Sequence, residues 1–298
     1  MFLFGKQLKI GTRASKLALW QANFAKEKLE QLGFKCDIVP IRTEGDKTEK
    51  PLYNLGGKGL FVKEIERALI NREIDIAVHS LKDMSVYDSG DFDFIVFERD
   101  FYQDTFVSFK GNLLEFGSGA KIGTTSLRRR AEILRVKSDV EFVDLRGNLD
   151  TRLKKLEKGI VDGIVVSKSG LVRLGLYDEN YMYDLEFMIP AAGQGVIAVE
   201  FLKDFEFGEK IKELEDKKTR VCVDAERVFV SRMNASCNYP IGAHAYFDSS
   251  EFCMSVMYGC PKDLTKAIRY TSRDSSVMFV IADVMDYVER KRNEKDFC

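Results

Sequence analysis

Histidine is nearly absent, with two residues in 298, and the six cysteines (Cys36, Cys222, Cys237, Cys253, Cys260 and Cys298) form no C-x-x-C pair. Zinc sites are built from such pairs or from clustered imidazoles, so no metal site is read here. No run approaches the ~20 apolar residues of a membrane span, and the opening Met1-Phe2-Leu3-Phe4-Gly5-Lys6 is too short for a signal peptide. A soluble cytoplasmic protein with reduced thiols is expected. A charge excess is missing as well, since Lys+Arg 46 against Asp+Glu 47 leave a formal net charge of -1. Nothing global attracts nucleic acid or an acidic membrane, and any basic site must be local.

What is present is an ordinary globular composition, 45% hydrophobic, over a length that suits two or three domains. The run Ile76-Ala77-Val78-His79-Ser80-Leu81-Lys82-Asp83 reads as a buried strand that delivers polar groups to its carboxyl end. In open α/β sheets ligands bind at that end. Asp83 is a candidate catalytic group, although an Asp-Met-Ser stretch after a strand equally describes a turn, with Lys82 as a solvated charge. His79 on an apolar strand reads first as a hydrogen-bonded core histidine.

The chain contains a duplication. Lys9-Ile10-Gly11-Thr12-Arg13-Ala14-Ser15 leads from a strand into a helix with Leu17, Leu19, Trp20, Phe24 and Leu29 at helical spacing, and Lys121-Ile122-Gly123-Thr124-Thr125-Ser126-Leu127 does the same. Strands at 36–41 and 140–145 follow, then helices at 61–70 and 149–156. Ile74-Asp75-Ile76-Ala77-Val78-His79-Ser80 and Val161-Asp162-Gly163-Ile164-Val165-Val166-Ser167 complete the two copies. Three strands in one order indicate two related α/β domains. The second copy has no acid at the place of Asp83, which shifts Asp83 from turn residue towards catalyst.

Residues 43–58 are an insertion closing with Gly56-Gly57-Lys58-Gly59, either a lid or a flexible linker. Strands at 94–98 and 105–108 flank a first crossing between domains, and Pro190-Ala191-Ala192-Gly193-Gln194-Gly195 precedes a strand at 196–200 that returns to the first. Two crossings predict a hinge, with the ligand in a cleft between lobes. From about residue 219 a helix, the loop Asn234-Ala235-Ser236-Cys237-Asn238-Tyr239-Pro240, strands at 243–247, 252–258 and 267–271 and a final helix make a small α+β domain. The expected domains are 1–99 with 196–216, 104–192, and 219–298.

Both Gly-Thr turns open helices, whose unsatisfied N–H groups and dipole favour anions. Arg13, Ser15, Thr124, Ser126, Arg128, Arg129, Arg146 and Arg152 collect near these ends, and the arginine fork suits carboxylates and phosphates. A ligand with several negative charges is predicted. Arg128-Arg129-Arg130 also reads as a solvated helix face or a nucleic-acid patch, the latter disfavoured by the balanced charge. Cys237 lies in a loop of small polar residues, the setting of an accessible thiol, yet spacing alone does not separate it from Cys222.

Taken together, Gly11-Thr12-Arg13-Ala14-Ser15 through Leu17-Ala18-Leu19-Trp20-Gln21, Gly56-Gly57-Lys58-Gly59-Leu60-Phe61, His79-Ser80-Leu81-Lys82-Asp83, Gly123-Thr124-Thr125-Ser126-Leu127-Arg128-Arg129, Leu145-Arg146-Gly147-Asn148, Pro190-Ala191-Ala192-Gly193-Gln194-Gly195 and Cys237-Asn238-Tyr239-Pro240-Ile241-Gly242 resemble the porphobilinogen deaminase (hydroxymethylbilane synthase) family, in family order from residue 11 to 242. The resemblance implies two related periplasmic-binding-protein-like α/β domains with a cleft and double-crossing hinge, plus a small C-terminal α+β domain. It implies a transferase of tetrapyrrole (haem) biosynthesis that deaminates porphobilinogen, joins four units on a dipyrromethane primer and releases hydroxymethylbilane by hydrolysis. By resemblance Cys237 carries the dipyrromethane cofactor as a thioether and Asp83 is catalytic. Lys82, Thr124, Ser126, Arg128, Arg129 and Gln194 then hold the cofactor, and Arg13, Ser15, Arg146, Arg152 and Lys58 the substrate. A cytoplasmic monomer is implied, with no nucleic-acid or membrane partner. Lys16, where the family usually has proline, and Met84-Ser85, in place of Val-Pro, depart from the pattern and put loop geometry in doubt rather than Asp83.

Two other readings stay in view. A two-lobed anion-binding protein without catalysis shares this architecture, and a phosphate-handling enzyme could use the helix starts, although no phosphate loop is present.

Overall fold

The two Ile-Gly-Thr turns close strands with matching surroundings. The computed structural model describes residues 5–43, 62–87, 90–233 and 239–298. The described residues fall into two units, one of 5–43, 62–87, 90–100 and 195–221 and one of 101–194, 222–233 and 239–298.

In the first unit β1 (Gln7–Arg13), β2 (Lys35–Ile41) and β3 (Ile76–Ser80) are parallel, and β10 (Ile197–Leu202) runs antiparallel between β3 and β4 (Phe92–Val96). The order is β2-β1-β3-β10-β4. Helix α1 (Lys16–Gln31) lays Ala22, Ala25 and Leu29 on Leu8, Ile10, Val78 and Val199. Helix α2 (Lys63–Ile70) sets Ile65 and Leu69 against Ile74 and Ala77. Alternate β3 residues thus join different apolar clusters, as period-2 side chains require, and this explains why the strand reads as a continuous apolar run.

The second unit repeats the pattern. Here β6 (Ala120–Gly123), β7 (Val140–Val143) and β8 (Gly163–Ser167) are parallel, and β5 (Asp104–Val107) runs antiparallel between β8 and β9 (Met182–Asp184), in the order β7-β6-β8-β5-β9. Helices α3 (Leu127–Val136) and α4 (Leu149–Glu157) follow β6 and β7. The two α/β units use the same register staple. Asp75 accepts the Lys9 N–H at 2.7 Å and Asp162 that of Lys121 at 2.8 Å, while each aspartate returns its own N–H to the same lysine's carbonyl.

The second unit also contains the antiparallel sheet β11 (Ile241–Asp248), β12 (Glu251–Gly259) and β13 (Ala267–Asp274), preceded by helix α7 (Lys217–Arg232) and followed by α8 (Val277–Arg292), whose Val280, Val284 and Val288 are buried. Sequence reading missed helix α5 (Lys168–Arg173), which starts directly after β8, and the short helix α6 (Gly208–Ile211). It also missed three-residue β9. The expectation of reduced thiols fails at one pair. The segment after α8 returns to the end of β12, with the rings of Phe297 and Tyr258 6.1 Å apart and Lys266 Nζ donating to Asp296 O, and Cys298 is thereby disulfide-bonded to Cys260. Cys36, Cys222 and Cys253 are buried and take no part in a disulfide.

Candidate active site

Strand β1 ends where α1 begins, and the junction is tied to β3. Ser15 caps α1, its Oγ accepting the Ala18 N–H at 3.3 Å, and Thr12 Oγ1 lies 3.2 Å from the Val78 carbonyl that it can donate to. Gln21, buried on α1, exchanges hydrogen bonds with Ser80 Oγ at 2.9 and 3.1 Å. These contacts hold the carboxyl ends of β1 and β3 together around a small cavity of about 60 Å³ lined in part by Arg13, Ser15, Gln21, His79, Ser80 and Asp83. Asp83 ends a single 3-10 turn after β3 and is exposed, so its carboxylate is available at the cavity. Lys82 is half-buried and is not part of the lining.

A buried pair borders this cavity, through His79 in its lining. His79 Nε2 is 3.2 Å from Glu200 Oε2 on β10, with both side chains almost wholly buried. Glu66 on α2 completes an acidic surround, its carboxyl pushed up by burial and then by Glu200, with His79 acting in the opposite sense.

In the second unit Arg128 and Arg129 do not reach into solvent. Arg128 and Arg129, in the first turn of α3, are 4% and 8% exposed and converge on Asp104 at the start of β5. Arg128 Nη1 donates to Asp104 Oδ2 and the Ile189 carbonyl, while Arg129 donates to Asp104 Oδ1 and, through Nη1, to the Val165 carbonyl. Burial lowers the Arg129 pKa and Asp104 opposes that effect. Gln194 Nε2 joins the group through the Tyr102 carbonyl at 2.7 Å and Asp104 Oδ1 at 3.2 Å. Arg129 thus has all three nitrogens engaged within the protein, whereas Arg128 Nε and Nη2 have no partner among the described residues.

Thr124 is buried, its Oγ1 accepting the Ser126 N–H at 3.2 Å, and Ser126 caps α3. Arg146 and Arg152 flank the start of α4. Arg152 Nε donates to the Gly147 carbonyl at 2.8 Å, and desolvation lowers the Arg146 pKa against the attraction of Asp144. Gly147 takes φ +113, where a Cβ would stand 2.7 Å from Thr151, so this turn requires glycine. Lys58 and Cys237 lie outside the described residues. The flanks of the Cys237 loop are fixed. Glu226 on α7 accepts the N–H groups of Gly193 and Ala245, each at 2.7 Å, joining the helix before the loop to the strand after it.

Sequence reading did not single out Gln21, Ser80, Asp104, Glu200 or Glu226 as site residues. Gln21 and Ser80 stood inside the motifs that carried the resemblance, but the three acids lie in stretches without local pattern.

Residues 8–209 match the family model described as "Porphobilinogen deaminase, dipyromethane cofactor binding domain", and residues 220–278 match "Porphobilinogen deaminase, C-terminal domain". The chain is 42% identical over 276 residues to a Helicobacter hepaticus protein named porphobilinogen deaminase, covering 91% of this chain and 86% of that one. It is 43% identical over 245 residues to the protein of that name from Trichlorobacter lovleyi, covering 80% and 78%. Among solved structures it is similar to the periplasmic VFT2 domain of Bordetella pertussis BvgS, at 13% identity and a TM-score of 0.41, over 76% of this chain and 92% of that one.

Proposed function

The chain belongs to the porphobilinogen deaminase family, and on that premise we propose that Asp83 is the catalytic carboxylate, that Cys237 carries the dipyrromethane cofactor through a thioether, and that the arginines hold carboxylates. The activity itself, deamination and joining of porphobilinogen in tetrapyrrole biosynthesis, follows from the family. The carrying observation is the delivery of an exposed Asp83 to the cavity that also presents Arg13 and Ser15.

Loss of ammonia from porphobilinogen leaves positive charge on its pyrrole. A carboxylate near the ring nitrogens offsets that charge and exchanges protons with them, which a neutral amide cannot do. Arg13, with the Ser15 hydroxyl, is assigned the substrate's acetate and propionate groups. Arg146, Arg152 and Lys58 share that task. The donor set of the second unit fits an anionic group: Arg128 retains Nε and Nη2, and the α3 start adds Thr124 and Ser126. The cofactor, when bound, supplies the pyrrole end to which new units are joined. Arg128, Thr124, Ser126 and Lys82 would meet its carboxylates, with Arg129 and Gln194 holding this surface in shape through Asp104.

The proposal also places the enzyme in the cytoplasm as a monomer, without nucleic-acid or membrane partners. The formal net charge of -1 supports the absence of a polyanion partner. The test of Asp83 is Asp83→Asn, which should bind porphobilinogen yet lose about 10²- to 10⁴-fold in kcat. Wild-type turnover by this variant would remove Asp83 from the mechanism.

A further inference from the structure

We propose that His79 is the base that takes up the ring proton released at each coupling step and that Glu200 is its positioning residue, a proposal that rests on the reading of the Asp83 cavity given above.

The internal duplication shows that the fold does not need this pair. Ile10 and Gly11 pair with Ile76 and Ala77, and Ile122 and Gly123 pair with Gly163 and Ile164. Aligned on the shared Ile-Gly-Thr turns, His79 corresponds to Val166. On the neighbouring antiparallel strands Glu200 pairs with Ala77 and Val107 pairs with Ile164, so Glu200 corresponds to Val107. Val107 and Val166 are both buried in one apolar cluster. The second copy therefore closes its sheet with two valines where the first carries an imidazole and a carboxylate. A buried imidazole–carboxylate pair is weak evidence for stability, since apolar replacements often match such buried polar pairs. The difference between the copies falls at the cavity that His79 and Asp83 both line. The position of Asp83 itself corresponds to Gly170.

The reaction releases a proton from carbon, a step distinct from the proton exchange at the ring nitrogens. The C–N bond of the substrate's aminomethyl group breaks, its electron pair leaving with ammonia, and the methylene forms a new C–C bond to the free α-carbon of a pyrrole. That carbon's C–H bond must then break, its electrons restoring the aromatic ring and its proton passing to a base. His79 lines the cavity, and its Nδ1 has no partner among the described residues. With Nε2–H donating to Glu200, the Nδ1 lone pair is the basic one. The imidazolium formed is offset by Glu200, with Glu66 the further acid beside it. The proton is then passed to the departed ammonia, which leaves as ammonium. Substrate enters with an aminomethyl group protonated to ammonium, so atoms and charge balance over the cycle.

The test uses His79→Val with Glu200→Val, which imports the second copy's own pair and avoids leaving one charge buried alone, together with Glu200→Gln. The double variant should unfold at a urea concentration close to wild type and keep the wild-type adduct mass and KM. Its kcat should fall by about 10²- to 10³-fold. With porphobilinogen deuterated at the free α-carbon it should show a primary isotope effect larger than that of wild type, because proton removal becomes limiting. Glu200→Gln should fall between the two. Independently of activity, long-range proton–nitrogen NMR of the protein's two histidines should show His79 as the Nε2–H tautomer. Wild-type kcat in the loaded double variant, a slowed variant with an unchanged isotope effect, an unfolded double variant, or an Nδ1–H tautomer would each overturn the proposal. A wild type without any adduct would instead sink the underlying reading.

Discussion

Asp104 Oδ1 accepts two hydrogen bonds from one guanidinium, from Arg129 Nε at 2.9 Å and Nη2 at 2.7 Å. Its other oxygen takes Arg128 Nη1 at 2.7 Å, so a single buried carboxylate balances both arginines at the start of α3. Removing it leaves two cations without their counter-ion in a site almost closed to water. Asp104→Ala should therefore lose about 3–5 kcal/mol of stability, the range for breaking one partner out of a buried pair. Urea unfolding would measure this. A loss below about 1 kcal/mol, the scale of an exposed ion pair, would show that the arginines are not held by Asp104.

Gly242 on β11 has no room for a side chain. A Cβ there would stand 2.8 Å from the Ile189 and Pro190 carbonyl oxygens, and backbone cannot step aside as a side-chain tip can. Gly242→Ala should cost about 1–3 kcal/mol or more, as overpacking does. Gly117, with nothing within 4 Å, is the control, and Gly117→Ala should stay within about 0.5 kcal/mol of wild type. Thermal or urea midpoints of the two variants separate the effects.

The thiol of Cys36 is pushed up to about 11, first by burial and then by Glu30. Its folded value lies above the unfolded one, so as pH rises through 9 the unfolded chain loses the proton first. The contribution of this group to stability is intact below pH 9 and declines between pH 9 and 11. Stability measured against pH should accordingly fall more steeply over that window in wild type than in Cys36→Ala. The same shift predicts that Cys36 resists alkylation at pH 8 in the folded protein, because the thiolate is the nucleophile.

The duplicated α/β plan was legible because its signals are local: Gly-Thr turns before helices, and polar residues at strand ends. Asp83 was legible for the same reason, standing directly after an apolar strand. In sequence Asp104 reads as part of a crossing segment, and its partners lie 24 and 25 residues further on. Only the sheet brings β5 under the start of α3. Glu200 is 121 residues from His79, and no periodicity links the two. Helix α5 was hidden by Ser169 and Gly170 in its first turn, residues with poor helix propensity whose burial in the packed unit outweighs that preference. The Cys260–Cys298 bond followed no spacing rule, and depends on the return of the chain to the end of β12.

The central claim is that the family chemistry runs on a primer fixed to Cys237, and intact mass spectrometry of the purified protein tests it most directly. The account predicts a wild-type mass above that of the sequence by one covalent pyrrole dimer, with the excess absent in Cys237→Ser and retained in Asp83→Asn. An active wild type at the bare sequence mass, or an adduct that survives Cys237→Ser, would contradict it.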